Sequence, residues 1–89
     1  MYRIIDITKD GATRTDGRYP LRIGCVVEIL VIDIGFPMIL KYTVAARGNG
    51  KSGYLQTSRI VKIESDPELN NMVVTTLNSI YTLKKFVHE

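Results

Sequence analysis

The densest grouping of residues able to do chemistry is AARGNGKS, residues 45–52, which keeps the relaxed spacing of a phosphate-binding loop with Ala45 where glycine is usual. The apolar run ILVID, residues 29–33, ends in Asp33 and imitates the strand that presents a metal-binding aspartate in nucleotide hydrolases. Such a loop works because its amides and the N-terminus of the helix that follows Lys-Ser converge on the phosphates. Here Ser52 is followed by Gly53-Tyr54-Leu55, which begins a strand pattern, and the two elements stand in the reverse of the usual order. Residues 47–53 therefore read as a glycine-rich hairpin tip carrying Arg47 and Lys51, able at most to hold an anion incidentally.

Other catalytic sets are missing as combinations. Cys25 and His88 are each the only residue of their kind, so no internal disulfide can form and no four-ligand zinc site is available. Cys25 begins an apolar strand and reads as a small buried hydrophobe rather than a reactive thiolate. The acids Asp6, Asp10, Asp16, Glu28, Asp33, Glu64, Asp66, Glu68 and Glu89 are scattered over strand edges and turns, and nothing pairs them. No enzyme, cofactor or metal is expected.

Charge is more informative. Twelve Lys and Arg against nine Asp and Glu give +3 and a pI near 9.2, over 89 residues that are 45% hydrophobic. Between Ile34 and Ile63 stand Lys41, Arg47, Lys51, Arg59 and Lys62 with no acid at all. If Lys41, Arg47, Lys51 and Arg59 share a face, and Arg14, Arg18 and Arg22 swing near it, a basic surface results. Tyr19, Phe36, Tyr42 and Tyr54 are interleaved and could stack on unpaired bases, with Tyr54 joining Lys41, Arg47, Lys51, Arg59, Arg14 and Arg18 as the candidate nucleic-acid-binding residues. The competing reading is solvated edges and turns, with Tyr42 and Tyr54 in the core.

The elements that must carry these residues are strands. Segments rich in Val, Ile, Thr and Tyr alternate with Gly, Asp, Asn and Pro clusters, and no window shows an amphipathic helical period. The first strand is Tyr2 to Thr8, closed by Asp10-Gly11, and a polar excursion runs from Gly11 to Arg22. CVVEILVIDI, residues 25–34, is apolar on both alternating faces and predicts a central strand covered on both sides. In Met38–Val44, Met38, Leu40, Tyr42 and Val44 alternate with Ile39, Lys41 and Thr43, which makes an inner face assignable. Tyr54–Leu55 and Arg59–Glu64 read as short strands around a 3₁₀ turn at residues 56–58. Asp66-Pro67 opens a turn. MVVTTLNSIYTLKKF, residues 72–86, reads as two strands flanking a hairpin loop at Leu77-Asn78 or as one continuous strand bent at Asn78. The expected core is Ile5, Ile7, Val27, Ile29, Val31, Leu40, Tyr42, Ile60, Val61, Val74, Ile80 and Leu83.

KSGYLQTSRIVKI, residues 51–63, resembles the closing segment of Src-homology-three-like barrels, and the preceding elements fit that order over residues 2–64. The resemblance implies a small barrel. It does not bring polyproline binding, because the chain has no tryptophan and Ile60 stands where a groove tyrosine belongs. The tail TTLNSIYTL, residues 75–83, is similar to endings of small bacterial and phage-type proteins.

The expectation is therefore a single all-β domain over residues 1–89, a small partly open antiparallel barrel of five or six strands. Acids at Asp6 and Asp10 interrupt any leader-like apolar run, and Cys25–Ile34 is far shorter than the ~20 residues of a spanning helix. A reducing cytoplasmic setting fits one unpaired thiol. The expected role is a non-catalytic interaction module, docking on a protein partner or self-associating, with a nucleic-acid-binding basic face as the alternative.

Overall fold

Asp10 and Gly11 both take positive φ, 53° and 81°, the pair of conformations that matches strand twist in a two-residue hairpin. They join β1 (Tyr2–Lys9) to β2 (Ala12–Thr13). In the computed structural model, which describes residues 1–44 and 53–86, five further strands follow: β3 (Val26–Val31), β4 (Pro37–Val44), β5 (Tyr54–Ser65), β6 (Asn71–Thr76) and β7 (Ile80–Lys85). The one helical element among the described residues is the four-residue turn α1 (Tyr19–Arg22), with Pro20 in its first turn.

Every pairing is antiparallel, in the order β2-β1-β3-β4-β5-β6-β7, and β7 pairs back onto β1. Six strands thus close a barrel and β2 adds a short seventh, so the all-β barrel expected from the sequence is present and goes to full closure. β1 uses both of its edges. Tyr2 lies opposite Val27 on one side and Lys85 on the other, while Thr8 lies between Thr13 and Ile80.

Turn chemistry follows the sequence at the other end of the chain as well. Asp66 accepts hydrogen bonds from the Asn70 amide at 2.7 Å, the Asn71 amide at 3.3 Å and Asn71 Nδ2 at 3.1 Å, fixing the turn between β5 and β6. Burial pushes the Asp66 carboxyl up, but these hydrogen bonds outweigh it and hold the group below its ordinary range. Leu77-Asn78-Ser79 connects β6 to β7, closed by Thr76 N–H donating to the Ser79 carbonyl at 2.8 Å.

Ile7, Val27, Leu40, Tyr42, Ile60, Val74 and Leu83 are buried as expected, joined by Ile4, Cys25, Val26, Met38, Leu55, Met72 and Tyr81. Three expected core residues are instead exposed: Ile5 at 44%, Val31 at 39% and Val61 at 53%. All three sit at register shifts. Ile5 is the extra residue between the Ile4–Leu83 and Asp6–Thr82 pairs. Val61 is the extra residue between Ile60–Thr76 and Lys62–Thr75. Leu30 intrudes between Ile29–Leu40 and Val31–Ile39 and turns Val31 outward. Each bulge shifts the inward phase by one residue. Ile29 and Ile80 are only half-buried.

Two other expectations are corrected. β3 is not covered on both sides, since Glu28, Leu30 and Val31 face solvent; a barrel has one interior, and no layer of helices among the described residues lies over its outside. The 3₁₀ turn at 56–58 is absent, because β5 runs unbroken and absorbs the irregularity as a bulge opposite Met38. Thr57 fills that bulge, its Oγ1 accepting the Met38 amide at 3.0 Å and donating to the Ser58 carbonyl at 2.7 Å.

The segment 14–24 crosses the opening where the edge of β1 passes from β3 to β2. Arg14 N–H donates to the Ile7 carbonyl, Gly24 N–H to Ile4, and Ile4 N–H to Cys25. Arg14 clamps it to the barrel. Its guanidinium binds Asp16 through two nitrogens at 3.0 and 2.7 Å, donates to Ser79 Oγ at 2.8 Å and the Asn78 carbonyl at 3.0 Å, and lies 3.9 Å from the Tyr19 ring centroid. Arg22 sits 4.8 Å from the same ring centroid and donates to Tyr81 Oη at 3.0 Å.

Leu40→Ala, which opens a cavity at the centre of β4, is expected to lower the free energy of unfolding by about 2–5 kcal/mol in urea titrations; Val61→Thr, on the outside, should change it by no more than about 0.5 kcal/mol. The hydrogen bond from Arg14 is the main cause holding the Asp16 carboxyl below its ordinary 3.8. Because the folded value is the lower one, that contribution is complete above 3.8 and is lost as pH falls through the depressed value. Thermal melts of Arg14→Gln should therefore show a midpoint several degrees below the wild type at neutral pH, with the gap narrowing in acid.

Candidate interaction surface

The basic residues singled out by the sequence that lie among the described residues stand on different elements, Lys41 on β4, Arg59 on β5, and Arg14 and Arg18 in the segment before α1. Lys41 and Tyr54 do come together, directly opposite each other across β4 and β5 and both exposed, Tyr54 at 67%. Tyr54 is thus on the surface and Tyr42 in the core. Arg47 and Lys51, in the connection between these two strands, lie outside the described residues. Arg59 is exposed opposite Pro37, five residues along β5 from Tyr54, a distance of roughly 17 Å. Arg14 is committed to the clamp described above, its charge matched by Asp16. Arg18 is exposed just before α1, where its carbonyl accepts the Leu21 amide.

The phosphate-loop pattern lacks its physical basis. Gly53, with φ of 110°, leads straight into β5, and its carbonyl accepts the Tyr42 amide at 3.0 Å. No helix N-terminus follows Ser52 to face a phosphate. Among the described residues, no group of three His, Cys, Asp or Glu could hold a metal, and every buried side-chain nitrogen or oxygen has a hydrogen-bond partner. Cys25 is fully buried, with Sγ donating to the Leu21 carbonyl at 3.3 Å. A shallow depression of about 320 Å³ runs over Lys9, Asp10, Ala12, Thr13, Arg14, Thr15 and Asp16; Arg14 and Asp16 in its lining are paired with each other. No helix among the described residues is long and apolar enough to cross a membrane.

What the sequence reading missed is apolar. Over the β3–β4 connection, Leu30 is 45% exposed, Val31 39%, Ile34 58% and Phe36 59%. The connection is held to β5, where Gly35 N–H donates to the Ile60 carbonyl and Ile60 N–H to Phe36, both at 2.9 Å. That pairing sets Phe36 beside the strand that carries exposed Val61. Four large apolar side chains are thus exposed within residues 30–36, an apolar ridge along the chain from β3 into its connection to β4. Its signal was present in CVVEILVIDI: a run apolar on both faces must leave one face uncovered when the chain supplies no helix to pack on it.

A second feature adjoins the ridge. β5 is longer than either neighbour. Its first half pairs with β4 only as far as Arg59–Pro37, its second half pairs with β6 from Ile60 to Ser65, and past Ile60 no described backbone group bonds to the edge that faces β4. Lys62 and Glu64 form an ion pair along this stretch, with 64% and 56% of their side chains exposed. The Glu64 hydrogen bond and charge raise the Lys62 ammonium above its ordinary value.

No family model, curated protein or solved structure matches this chain.

Proposed function

We propose that this chain is a non-catalytic interaction module, a small barrel of the Src-homology-three-like kind that docks on a protein partner or on itself. The observation that carries this reading is the ridge of Leu30, Val31, Ile34 and Phe36, because small monomers seldom leave so many large apolar side chains together in water unless a surface covers them. A polyproline groove is not part of the proposal. Ile60, at the position of the expected groove tyrosine, is buried inside the barrel, and the 3₁₀ turn that would present such a tyrosine is replaced by the bulge at Thr57. A reducing, cytoplasmic setting accords with the free thiol of Cys25.

The test is affinity capture from the native host together with solution mass, comparing the wild type with Ile34→Ser/Phe36→Ser. Both replaced side chains are exposed, so the variant should fold, and capture or self-association should fall at least about tenfold. A strict monomer that retains no protein overturns the reading.

Lys41 facing Tyr54 supports a second reading, a binder of single-stranded nucleic acid that combines a phosphate contact with a stacking ring. Fluorescence anisotropy with single-stranded RNA and DNA should then show affinity that falls with salt, and Tyr54→Ala or Lys41→Glu should each weaken it about tenfold. No binding at low salt removes this alternative.

A further inference from the structure

We propose that the free edge of β5 pairs with the same edge of a second copy of this chain, antiparallel and centred on Ile63. The inference rests on the interaction-module reading and names the partner: the chain itself.

The argument begins with backbone direction. The Asn71 carbonyl accepts the Asp66 amide at 3.2 Å, so Asn71 points its backbone groups toward β5. Alternation along β6 then directs Val73 and Thr75 the same way, onto their partners Glu64 and Lys62. Between them, Ile63 turns its N–H and C=O to the opposite edge, where no described strand receives them. Two copies related by a two-fold axis through Ile63 would satisfy both groups reciprocally, as an isologous interface requires.

Charge then selects the register. In the run Val61-Lys62-Ile63-Glu64-Ser65, a two-fold axis at Ile63 sets Lys62 opposite Glu64 of the second copy, and Glu64 opposite its Lys62. Each copy keeps its own Lys62–Glu64 pair, so the four charges alternate in sign around a square. Shifting the centre by one residue sets Lys62 against Lys62 or Glu64 against Glu64, which directly opposed like charges disfavour. The exposed Val61 and Phe36 flank the edge and would be partly covered by the second copy. Pro67, which has no N–H to offer a ladder, limits the pairing at its far end.

Sedimentation velocity over about 1 µM to 1 mM tests the pairing. The wild type is expected to move from 10.0 kDa toward twice that mass. Lys62→Glu or Glu64→Lys alone should weaken the dimer at least about tenfold, since like charges then meet in the ladder. The double exchange Lys62→Glu/Glu64→Lys should restore wild-type association, because the square of alternating charges is rebuilt with its signs reversed. Both substituted positions are exposed, and circular dichroism checks that each of the three variants folds. A wild type that stays monomeric to the highest concentration, single variants that dimerise undiminished, or a double exchange that fails to rescue, each overturns the proposal. If the wild type is monomeric but capture of a protein through Phe36 persists, the strand pairing fails and the wider module reading stands; loss of both removes both.

Discussion

Closing six strands on themselves obliges each of them to curve, and in this small barrel the curvature is taken up at bulges. The closure itself is the β1–β7 ladder, running from Tyr2–Lys85 to Thr8–Ile80. The extra residues at Ile5, Leu30 and Val61, together with the irregularity at Thr57, are the local form of that requirement. They decide which side chains reach the interior. Ile4 and Ile7 both point inward because Ile5 lies between them as a bulge, and Ile60 is buried while Val61 and Lys62 both face water.

The same geometry accounts for the surface. One sheet wrapped around one core has an outside that nothing covers, so apolar residues left over from β3 and its connection to β4 become a ridge instead of a second core. A staggered barrel also gives strands unequal overlap. β5 outruns β4 past Ile60, where no described strand pairs with that edge, whereas β1 has its edge divided between β3 and β2 and needs the segment 14–24, held by Arg14 against Asp16, Ser79 and Tyr19, to complete it.

Element type and turn position were legible in the sequence because they depend on local chemistry. Asp10-Gly11, Asp66-Pro67 and Leu77-Asn78 each turn where their residue types favour it, and the strand pattern after Ser52 excluded the helix that a phosphate loop needs. The polar triplet Gln56-Thr57-Ser58 marked a true irregularity, although a bulge took the place of the turn. The inward phase was less legible, since a bulge is set by pairing with a strand distant in sequence and leaves no mark on the strand's own alternation. That is why Ile5, Val31 and Val61 were placed inside. Of the candidate basic surface, only the Lys41–Tyr54 juxtaposition could be reached by counting back from a hairpin; the engagement of Arg14 depends on Ser79 and Asn78, at the far end of the chain.

The ladder between β1 and β7 has one more consequence, for the order of events as the chain is made. On the ribosome β7 emerges only after all the other strands of the barrel, so β1 must wait with one side unpaired while the middle strands assemble. Contacts so remote in sequence cost the most chain entropy to form and are gained late, which favours slow folding for a domain of this size. During that interval the nascent chain exposes Ile4 and Ile7, which the folded barrel buries completely, and a chaperone binding to that stretch would shield it until β7 emerges.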